Sequence, residues 1–380
     1  MRIPDPAMAE EFLEGELKRV LGRKHVRHAV IGVENGDRTI RWIGAGGMAS
    51  LDGAPFRVDT PFNIASVTKL HIAVSVMKLQ ERGDVDLAGA ITDYLPASMV
   101  KDIHMLNGKD LSGRITVRHL LSHASGLPDW LEDRPEKGKS LLETLGDQED
   151  RLISIDEAVA FVRSRLKAHF PPQDFGQKKV RIRYSDTNFQ LLIALLERQA
   201  GASIHEVFSD LIYKPLGLRH TFHPGQQPVE AIPEPAVVWM GDRPISQPML
   251  LQSFRDLYST AEDLLVFMRG LVRGELFREP DTFTLMQQWN RFGFPLDTAA
   301  IRQPKWPMEY GLGLMRFEMP RLFAPLRPAP AVMGHTGASG SWLFYCPKLD
   351  LYLCGTVDQL TETALPYSLV PRLLQSITGR

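Results

Sequence analysis

Cysteine is scarce in this chain of 380 residues, which contains only Cys346 and Cys354. Both fall in a predicted hairpin, residues 341–357, in which Cys346 pairs with Leu351 and Cys354 lies opposite Leu343. Because side chains alternate between the two faces of a strand, the two thiols point to opposite faces, and this geometry opposes a disulfide. We therefore expect two free thiols, as is usual in a reducing cytoplasm.

The chain also lacks an excess of charge of either sign, with 44 Lys and Arg against 45 Asp and Glu. Nothing in this balance indicates binding to nucleic acid or to an anionic membrane. No apolar run is long enough to cross a bilayer. The segment Met1–Arg23 predicts an amphipathic helix without the basic, apolar and cleavage regions of a secretory signal. If Met1 is the native start, these absences predict a cytoplasmic protein.

Several catalytic motifs are missing as well. There is no Gly-x-Ser-x-Gly, which argues against an α/β-hydrolase, and no glycine-rich phosphate loop. The pairs His25/His28 and His220/His223 have His-x-x-His spacing, but no cysteine or acidic cluster lies beside them. We interpret them as surface histidines, and we predict neither a metal nor a cofactor.

The chain does contain three short segments that together have the groups needed for serine-based acyl transfer. Ser66 has a hydroxyl that can attack a carbonyl, and Lys69 and Tyr184 can take and return its proton. Ser-x-x-Lys alone is weak, since it occurs four times in this sequence. The inference therefore depends on the ordered set: Ser66-Val67-Thr68-Lys69, Tyr184-Ser185-Asp186 and His335-Thr336-Gly337.

The residues after Ser66 set it apart from the other Ser-x-x-Lys matches. Apolar residues recur at helical spacing and predict a buried helix over Ser66–Arg82. Ser66 would then lie in the first turn, with Lys69 one turn later on the same face. Free N–H groups and the helix dipole favour a developing negative charge there. The alternative is that Ser66 only caps the helix.

Four further stretches complete a resemblance that covers nearly the whole chain. They are residues 115–128 (Ile-Thr-Val-Arg-His-Leu-Leu-Ser-His-Ala-Ser-Gly-Leu-Pro), 215–218 (Pro-Leu-Gly-Leu), 258–264 (Tyr-Ser-Thr-Ala-Glu-Asp-Leu) and 310–313 (Tyr-Gly-Leu-Gly). With the three segments, they make the chain resemble the serine β-lactamase and penicillin-binding-protein superfamily, in particular its class C-like branch. That branch includes class C β-lactamases, D-alanyl-D-alanine carboxypeptidases, D-aminopeptidases and family VIII carboxylesterases.

The resemblance implies an α+β fold of the β-lactamase/transpeptidase type, in which helices flank an antiparallel sheet like a sandwich. The coarse pattern of strands and helices agrees with this fold. It predicts a sheet lobe from residues 1–82 and 291–380, and a mostly helical lobe, residues 83–290, inserted between them. The active site is expected in the cleft between the lobes.

The resemblance also assigns roles to residues of the first two segments. It implies that Ser66 is the nucleophile, that Lys69 holds and tunes it, and that Tyr184 shuttles a proton to the leaving group. A lysine can lower the pKa of a neighbouring tyrosine or serve as the base itself if it is desolvated. The sequence leaves open which of the two is the base.

The third segment corresponds to the Lys-Thr-Gly element of the superfamily. His335, Thr336 and Gly337 are expected to line the substrate, with Gly337 leaving room for substrate to approach the strand. The resemblance further implies an oxyanion hole from the backbone N–H groups of Ser66 and Ala338, and such preorganised donors stabilise a tetrahedral intermediate.

Two positions depart from the family pattern. Asp186 stands where the Tyr-x-Asn element has Asn, and it can pair with Lys69, cap the next helix, or do both. His335 stands where lactamases have Lys, which weakens the fixed charge that would attract a substrate carboxylate. Both changes argue against an efficient β-lactamase.

The sequence therefore predicts a serine hydrolase that acts through an acyl-serine intermediate, most readily on small carboxylic esters, with weak β-lactam hydrolysis as an addition. The alternatives with the same residues are a D-amino-acid peptidase or amidase and a β-lactamase. A non-catalytic binding protein of the same fold is a third reading, and the intact Ser66, Lys69, Tyr184 and His335 oppose it. The expected partner is a small ester, amide or lactam.

Overall fold

The structure, a computed structural model, describes residues 6–145, 147, 149–292, 308–319 and 329–377. Its helices are α1 (Pro6–Leu21), α2 (Thr68–Arg82), α3 (Ala97–Val100), α4 (Val117–Leu121), α5 (Ile155–Arg165), α6 (Asp186–Ala200), α7 (Ile204–Phe208), α8 (Lys214–Leu216), α9 (Pro248–Ser253), α10 (Ala261–Val272), α11 (Thr282–Met286) and α12 (Leu365–Ile377). Its strands are β1 (His28–Asn35), β2 (Arg41–Gly47), β3 (Phe62–Asn63), β4 (Met105–Leu106), β5 (Lys109–Asp110), β6 (Trp239–Met240), β7 (Arg243–Pro244), β8 (Tyr258–Ser259), β9 (Asn290–Arg291), β10 (Met308–Tyr310), β11 (Met315–Phe317), β12 (Val332–Thr336), β13 (Trp342–Cys346) and β14 (Leu351–Thr356).

An antiparallel sheet forms the framework of the described chain. Eight strands follow the order β2-β1-β14-β13-β12-β11-β10-β9, so the first strand of the chain lies beside the last one. Every residue of β1 and of β14 is buried, because helices cover both faces of the sheet. On one face α1 and α12 pack together, and on the other α10 packs on β1, β13 and β14. The predicted α+β fold is confirmed.

The two faces of the sheet have separate apolar cores. Trp342 and Phe344 are fully buried in the core shared with α1 and α12, where Leu13 and Leu373 meet them. Burial of each side chain of this size stabilises the fold by roughly 1.5–3 kcal/mol. Leu343 points to the other face, into the core formed with α2, α6 and α10. The alternation follows from the period of two along β13.

The described elements match the sequence expectations to within a few residues. Helix α2 begins at Thr68, two residues after the predicted Ser66, and ends at the predicted Arg82. Residues 1–5 of the predicted first helix, and residues 293–307 and 320–328 of the predicted sheet lobe, lie outside the described part of the chain. The division into two lobes remains a prediction, and α10, from the predicted helical section, lies against the sheet.

The cysteine register agrees with the sequence. Cys346 pairs with Leu351 and Cys354 with Leu343, and both thiols are free and buried. Burial raises the pKa of the Cys346 thiol to about 11, so it is protonated at neutral pH.

The histidine prediction is wrong for two of the four residues. His28 and His223 are buried rather than on the surface. His28 bonds the Asp358 carboxylate through Nε2 at 3.0 Å, and His223 stacks on Phe208 with ring centroids 5.4 Å apart. The His-x-x-His spacing carried no information about burial. Among the described residues, no group of three or more His, Cys, Asp or Glu side chains could hold a metal ion, and none of the described helices has the length and apolar character to span a bilayer.

Buried neutral histidines make the free energy of unfolding depend on pH. Burial lowers the pKa of His71, His223 and His335 to about 3 each, from an ordinary 6.5. The unfolded chain therefore binds more protons below pH 6.5, and stability falls as the pH drops from 6.5 toward 3, by about 1.4 kcal/mol per pH unit for each histidine. We expect His223→Phe to reduce the slope of unfolding free energy against pH by an amount that approaches one proton near pH 5, measured by urea titration from pH 7 to 5. An unchanged slope would contradict this account.

Candidate active site

Ser66 lies in a tight turn that distant residues hold in place. The turn is a 3-10 segment, Ala65–Val67, that precedes α2. Ala65 has a left-handed backbone with φ of 44°, which costs a non-glycine residue energy and is typical of functional turns. Ser339 Oγ donates to the Asn63 carbonyl at 2.7 Å, and Ser341 Oγ donates to the Ile64 carbonyl at 2.8 Å. The β12–β13 connection therefore fixes the position of Ser66.

Lys69 reaches Ser66 from the first turn of α2. Its Nζ donates to Ser66 Oγ at 3.0 Å and forms an ion pair with Asp186 Oδ1. It also lies 5.1 Å from the ring centre of Tyr184. The ammonium is buried, so the carboxylate of Asp186 offsets much of the desolvation of its charge. Ser185 is the N-cap of α6, but its hydroxyl donates to the Pro128 carbonyl at 3.0 Å instead of capping the helix, and Asp186 follows as the first residue of the helix. Of the two roles open for Asp186, the structure places its carboxylate on Lys69.

The local charges set the protonation of Lys69 and Tyr184. Burial lowers the pKa of Lys69, but the carboxylates of Asp186 and Asp256 outweigh it, so the pKa is raised overall. Burial, then the charge of Asp186, raises the pKa of Tyr184 well above 10, opposed by a hydrogen bond with Ser66. Lys69 is therefore an ammonium and Tyr184 a neutral phenol at rest, and Asp186 favours the protonated form of both.

Removal of the Asp186 charge should shift the pH profile of activity in one definite direction. We expect Asp186→Asn to move the rising limb of the pH profile of kcat/KM toward lower pH, because the pKa of Lys69 and that of Tyr184 both fall when the carboxylate is removed. The direction is the same whichever group accepts the Ser66 proton. A pH-stat assay with an alkyl ester measures the limb. A limb that stays in place, or moves to higher pH, would contradict the electrostatic account.

His335 is a neutral residue beneath the site. Its Nδ1 lies 2.6 Å from the Thr336 carbonyl oxygen and therefore holds the proton, and its Nε2 accepts from the Tyr310 hydroxyl at 3.1 Å. Burial, then the charge of Lys69, lowers the pKa of His335 to about 3. The residue offers no positive charge to a substrate carboxylate.

Thr336 and Gly337 make close contacts within the protein, and their place beside the substrate stays a prediction. The Thr336 hydroxyl lies 3.0 Å from the Tyr367 hydroxyl, because side chains alternate along β12 and this one faces the α12 side. A Cβ on Gly337 would lie 2.6 Å from the Ile64 carbonyl oxygen and 2.2 Å from Ser341 Oγ. Glycine is thus required at this position for close packing against the turn before Ser66.

Ala338 and Ser66 line the same cavity. The Ala338 N–H makes no hydrogen bond with the residues that the structure describes. Two backbone N–H groups on one wall are the arrangement that an oxyanion needs. Tyr184 and Asp186 line the same cavity, with Lys69 behind them, whereas His335 lies outside its lining. The apolar wall includes three residues from the section 221–255, namely Val238, Leu251 and Phe254.

The sequence did not indicate three further features of the site. Asp256 lines the cavity and acts on Lys69 by its charge, although nothing in its neighbours along the chain suggests this. Tyr310 belongs to one of the four stretches that complete the family resemblance and received no role from it, yet its hydroxyl contacts His335. Ser339 and Ser341 follow the His-Thr-Gly segment, and this proximity was the one available signal for their role.

A hydroxyl beside an ammonium and a phenol, in a cavity that Ser66 and Ala338 both line, is suited to acyl transfer. The model of the Beta-lactamase family matches residues 11–364, and the chain belongs to this family.

Curated relatives match over part of their length. Esterase EstB of Burkholderia gladioli is 31% identical over 170 residues, which cover 44% of this chain and 39% of that protein. Penicillin-binding protein 4* of Bacillus subtilis (strain 168) is 26% identical over 207 residues, which cover 54% of this chain and 40% of that protein. The chain thus matches less than half the length of either protein.

Solved structures match over nearly the whole chain. A D-stereospecific amidohydrolase from Streptomyces sp. has a TM-score of 0.67 at 25% identity and covers 96% of this chain and 98% of its own. The D-amino acid amidase from Ochrobactrum anthropi SV3, complexed with L-phenylalanine amide, has a TM-score of 0.73 at 20% identity and covers 98% of both chains. At this identity the second match shows the fold alone.

Proposed function

We propose that the protein is a serine hydrolase that acts on small carboxylic esters through an acyl-Ser66 intermediate. The observation that carries the proposal is the position of Ser66 Oγ, 3.0 Å from Lys69 Nζ at the wall of the cavity that also includes Ala338. Ser66 is the nucleophile, and the Ser66 and Ala338 N–H groups receive the oxyanion.

The proposed reaction has two stages. In the enzyme form in which the Lys69–Tyr184 pair has lost one proton, Ser66 Oγ attacks the ester carbonyl and its proton passes to that pair, and the alcohol leaves as Tyr184 gives that proton to it. Water then attacks the acyl-Ser66 ester and gives one proton to the same pair, which returns it to Ser66 Oγ as the carboxylic acid leaves. Asp186 holds Lys69 against Ser66 throughout.

Different observations favour esters and amides as the substrates. The match to Esterase EstB favours esters. The second candidate, hydrolysis of D-amino-acid amides or peptides, is favoured by the match to the Streptomyces amidohydrolase and by the carboxyl groups that line the cavity. We expect only weak β-lactam turnover, because no basic side chain stands among the described residues of the cavity wall to receive a lactam carboxylate.

The proposal is tested with short-chain p-nitrophenyl esters and with a fluorophosphonate that labels activated serines. The expected result is turnover, together with one label per chain on the peptide that contains Ser66. The phosphonate forms a bond from Ser66 Oγ to phosphorus as fluoride leaves, so labelling is independent of substrate preference. A folded protein that neither turns over any ester, amide or lactam nor takes the label would overturn the proposal.

A further inference from the structure

Asp256 lies at the wall of the cavity, and the residue before it has a defined backbone conformation and defined side-chain contacts. The residue before it, Arg255, has a left-handed backbone with φ of 57°. The Arg255 guanidinium is turned toward other partners, the Gln190 side-chain oxygen at 3.1 Å and the Ser253 carbonyl at 2.7 Å. Asp256 is half-buried and lines the cavity that Ser66 shares. The nearest cation along the chain is therefore not its partner.

The Asp256 carboxyl group differs from the two other aspartates near the site. Asp186 is paired with Lys69, and Asp129 accepts the backbone N–H groups of Asp186 at 3.0 Å and Leu131 at 2.8 Å. Asp256 makes no hydrogen bond or ion pair with any residue that the structure describes. Burial raises its pKa to about 7, although the charge of Lys69 opposes this. An unpaired carboxylate in such a place is unfavourable until a cation or donor meets it.

The rest of the cavity wall is acidic and apolar. Glu132, Asp186 and Asp256 line it, and no Lys, Arg or His stands among its described residues. The charge of Lys69 is held by Asp186 behind the wall. The apolar residues are Trp130, Leu131, Leu142, Leu145, Val238, Leu251, Phe254 and Leu360. Such a wall suits a ligand that has both a positive charge and an apolar group.

We propose that Asp256 determines specificity by binding a positively charged amine on the acyl part of the substrate. The preferred substrates are then amino-acyl esters or amides with a free ammonium group and an apolar side chain. The carboxylate of Asp256 receives the ammonium while Ser66 attacks the neighbouring carbonyl. This inference rests on the proposed function and adds no chemical step to it.

The test compares phenylalanine methyl ester, in both enantiomers, with methyl 3-phenylpropanoate, which lacks only the amine. We expect wild type to favour at least one enantiomer of the ammonium ester by about 10-fold or more in kcat/KM, the size expected for one charge-assisted hydrogen bond. We expect Asp256→Asn to lower the ratio of kcat/KM for the ammonium ester to kcat/KM for methyl 3-phenylpropanoate by about 10-fold, a ratio in which the effect of the lost charge on Lys69 cancels. Asp59→Asn is the matched control, because Asp59 is exposed and lies outside the cavity wall.

Each outcome separates the inference from the proposed function. If wild type hydrolyses neither ester and takes no fluorophosphonate label, the proposed function fails. If it hydrolyses both without preference, or if Asp256→Asn keeps the preference or slows both esters equally, the inference alone fails. A second measurement needs no variant: phenethylamine is expected to inhibit wild type at least 10-fold more strongly than 2-phenylethanol, a matched neutral compound. Equal inhibition would overturn the inference.

Discussion

Ser66→Ala is expected to reduce ester hydrolysis by about 10⁴-fold or more, because the variant has no atom that can form the acyl-enzyme. The half-buried Ser66 hydroxyl bonds Lys69 and Tyr184, Lys69 keeps its ion pair with Asp186 in the variant, and Ala65 and Val67 keep the turn. Stability should change by less than about 1 kcal/mol. The measurement is turnover of a p-nitrophenyl ester beside a thermal melt of the same preparation.

The chain provides a matched control for this experiment. Ser164 also begins a Ser-x-x-Lys sequence, but it is exposed and donates to the Ala160 carbonyl at 2.8 Å within α5. Ser164→Ala should leave turnover unchanged. If Ser66→Ala retains most of the wild-type activity in folded protein, the acyl-Ser66 mechanism is wrong, and a non-catalytic role for Ser66 must be considered.

Lys69→Met should cost both activity and stability. The variant removes the cation that contacts Ser66 and leaves the Asp186 carboxylate facing an apolar thioether. We expect kcat/KM to fall by about 10³-fold or more. We expect the free energy of unfolding to fall by about 3–5 kcal/mol, the usual effect of breaking one side of a buried ion pair. Urea unfolding and ester turnover measure the two effects.

The double variant Lys69→Met/Asp186→Asn separates the two effects. Removal of both charges eliminates the uncompensated carboxylate, so stability should recover by several kcal/mol while activity stays low. Recovery of activity with stability would mean that Lys69 has only a structural role. If Lys69→Met alone leaves stability unchanged, the ion pair between Lys69 and Asp186 is not desolvated.

The sequence predicted the sheet well because local patterns determine strands and turns. The pairing of Cys346 with Leu351 follows from the position of the turn between them and from the two-residue period of the strands. The sequence pattern placed Ser66 within helix α2, whereas Ser66 lies in the 3-10 segment before this helix. The left-handed Ala65 that produces this difference is held by Ser339 and Ser341, which are distant in sequence.

The parts of the site that the sequence missed depend on tertiary contacts. Asp256 approaches Lys69 because β8 pairs with β3, which directly precedes the Ser66 turn. Tyr310 reaches His335 across the sheet, from β10 to β12. Neither contact leaves a spacing pattern in the chain. The family resemblance assigned roles only to residues of the three matched segments and to Ala338, which follows the third. Asp256 and Tyr310 lie outside those positions and were therefore assigned no role.

The order of the strands has a consequence for biosynthesis. One edge of β1 stays open on the ribosome until β14 emerges, and the buried bond between His28 and Asp358 joins residues 330 positions apart. The turn that holds Ser66 likewise waits for Ser339 and Ser341, more than 270 residues downstream. A nascent chain therefore exposes an unpaired edge until β14 has been synthesised, a state that favours aggregation and chaperone binding. The nucleophile becomes positioned only after Ser339 and Ser341 have emerged from the ribosome.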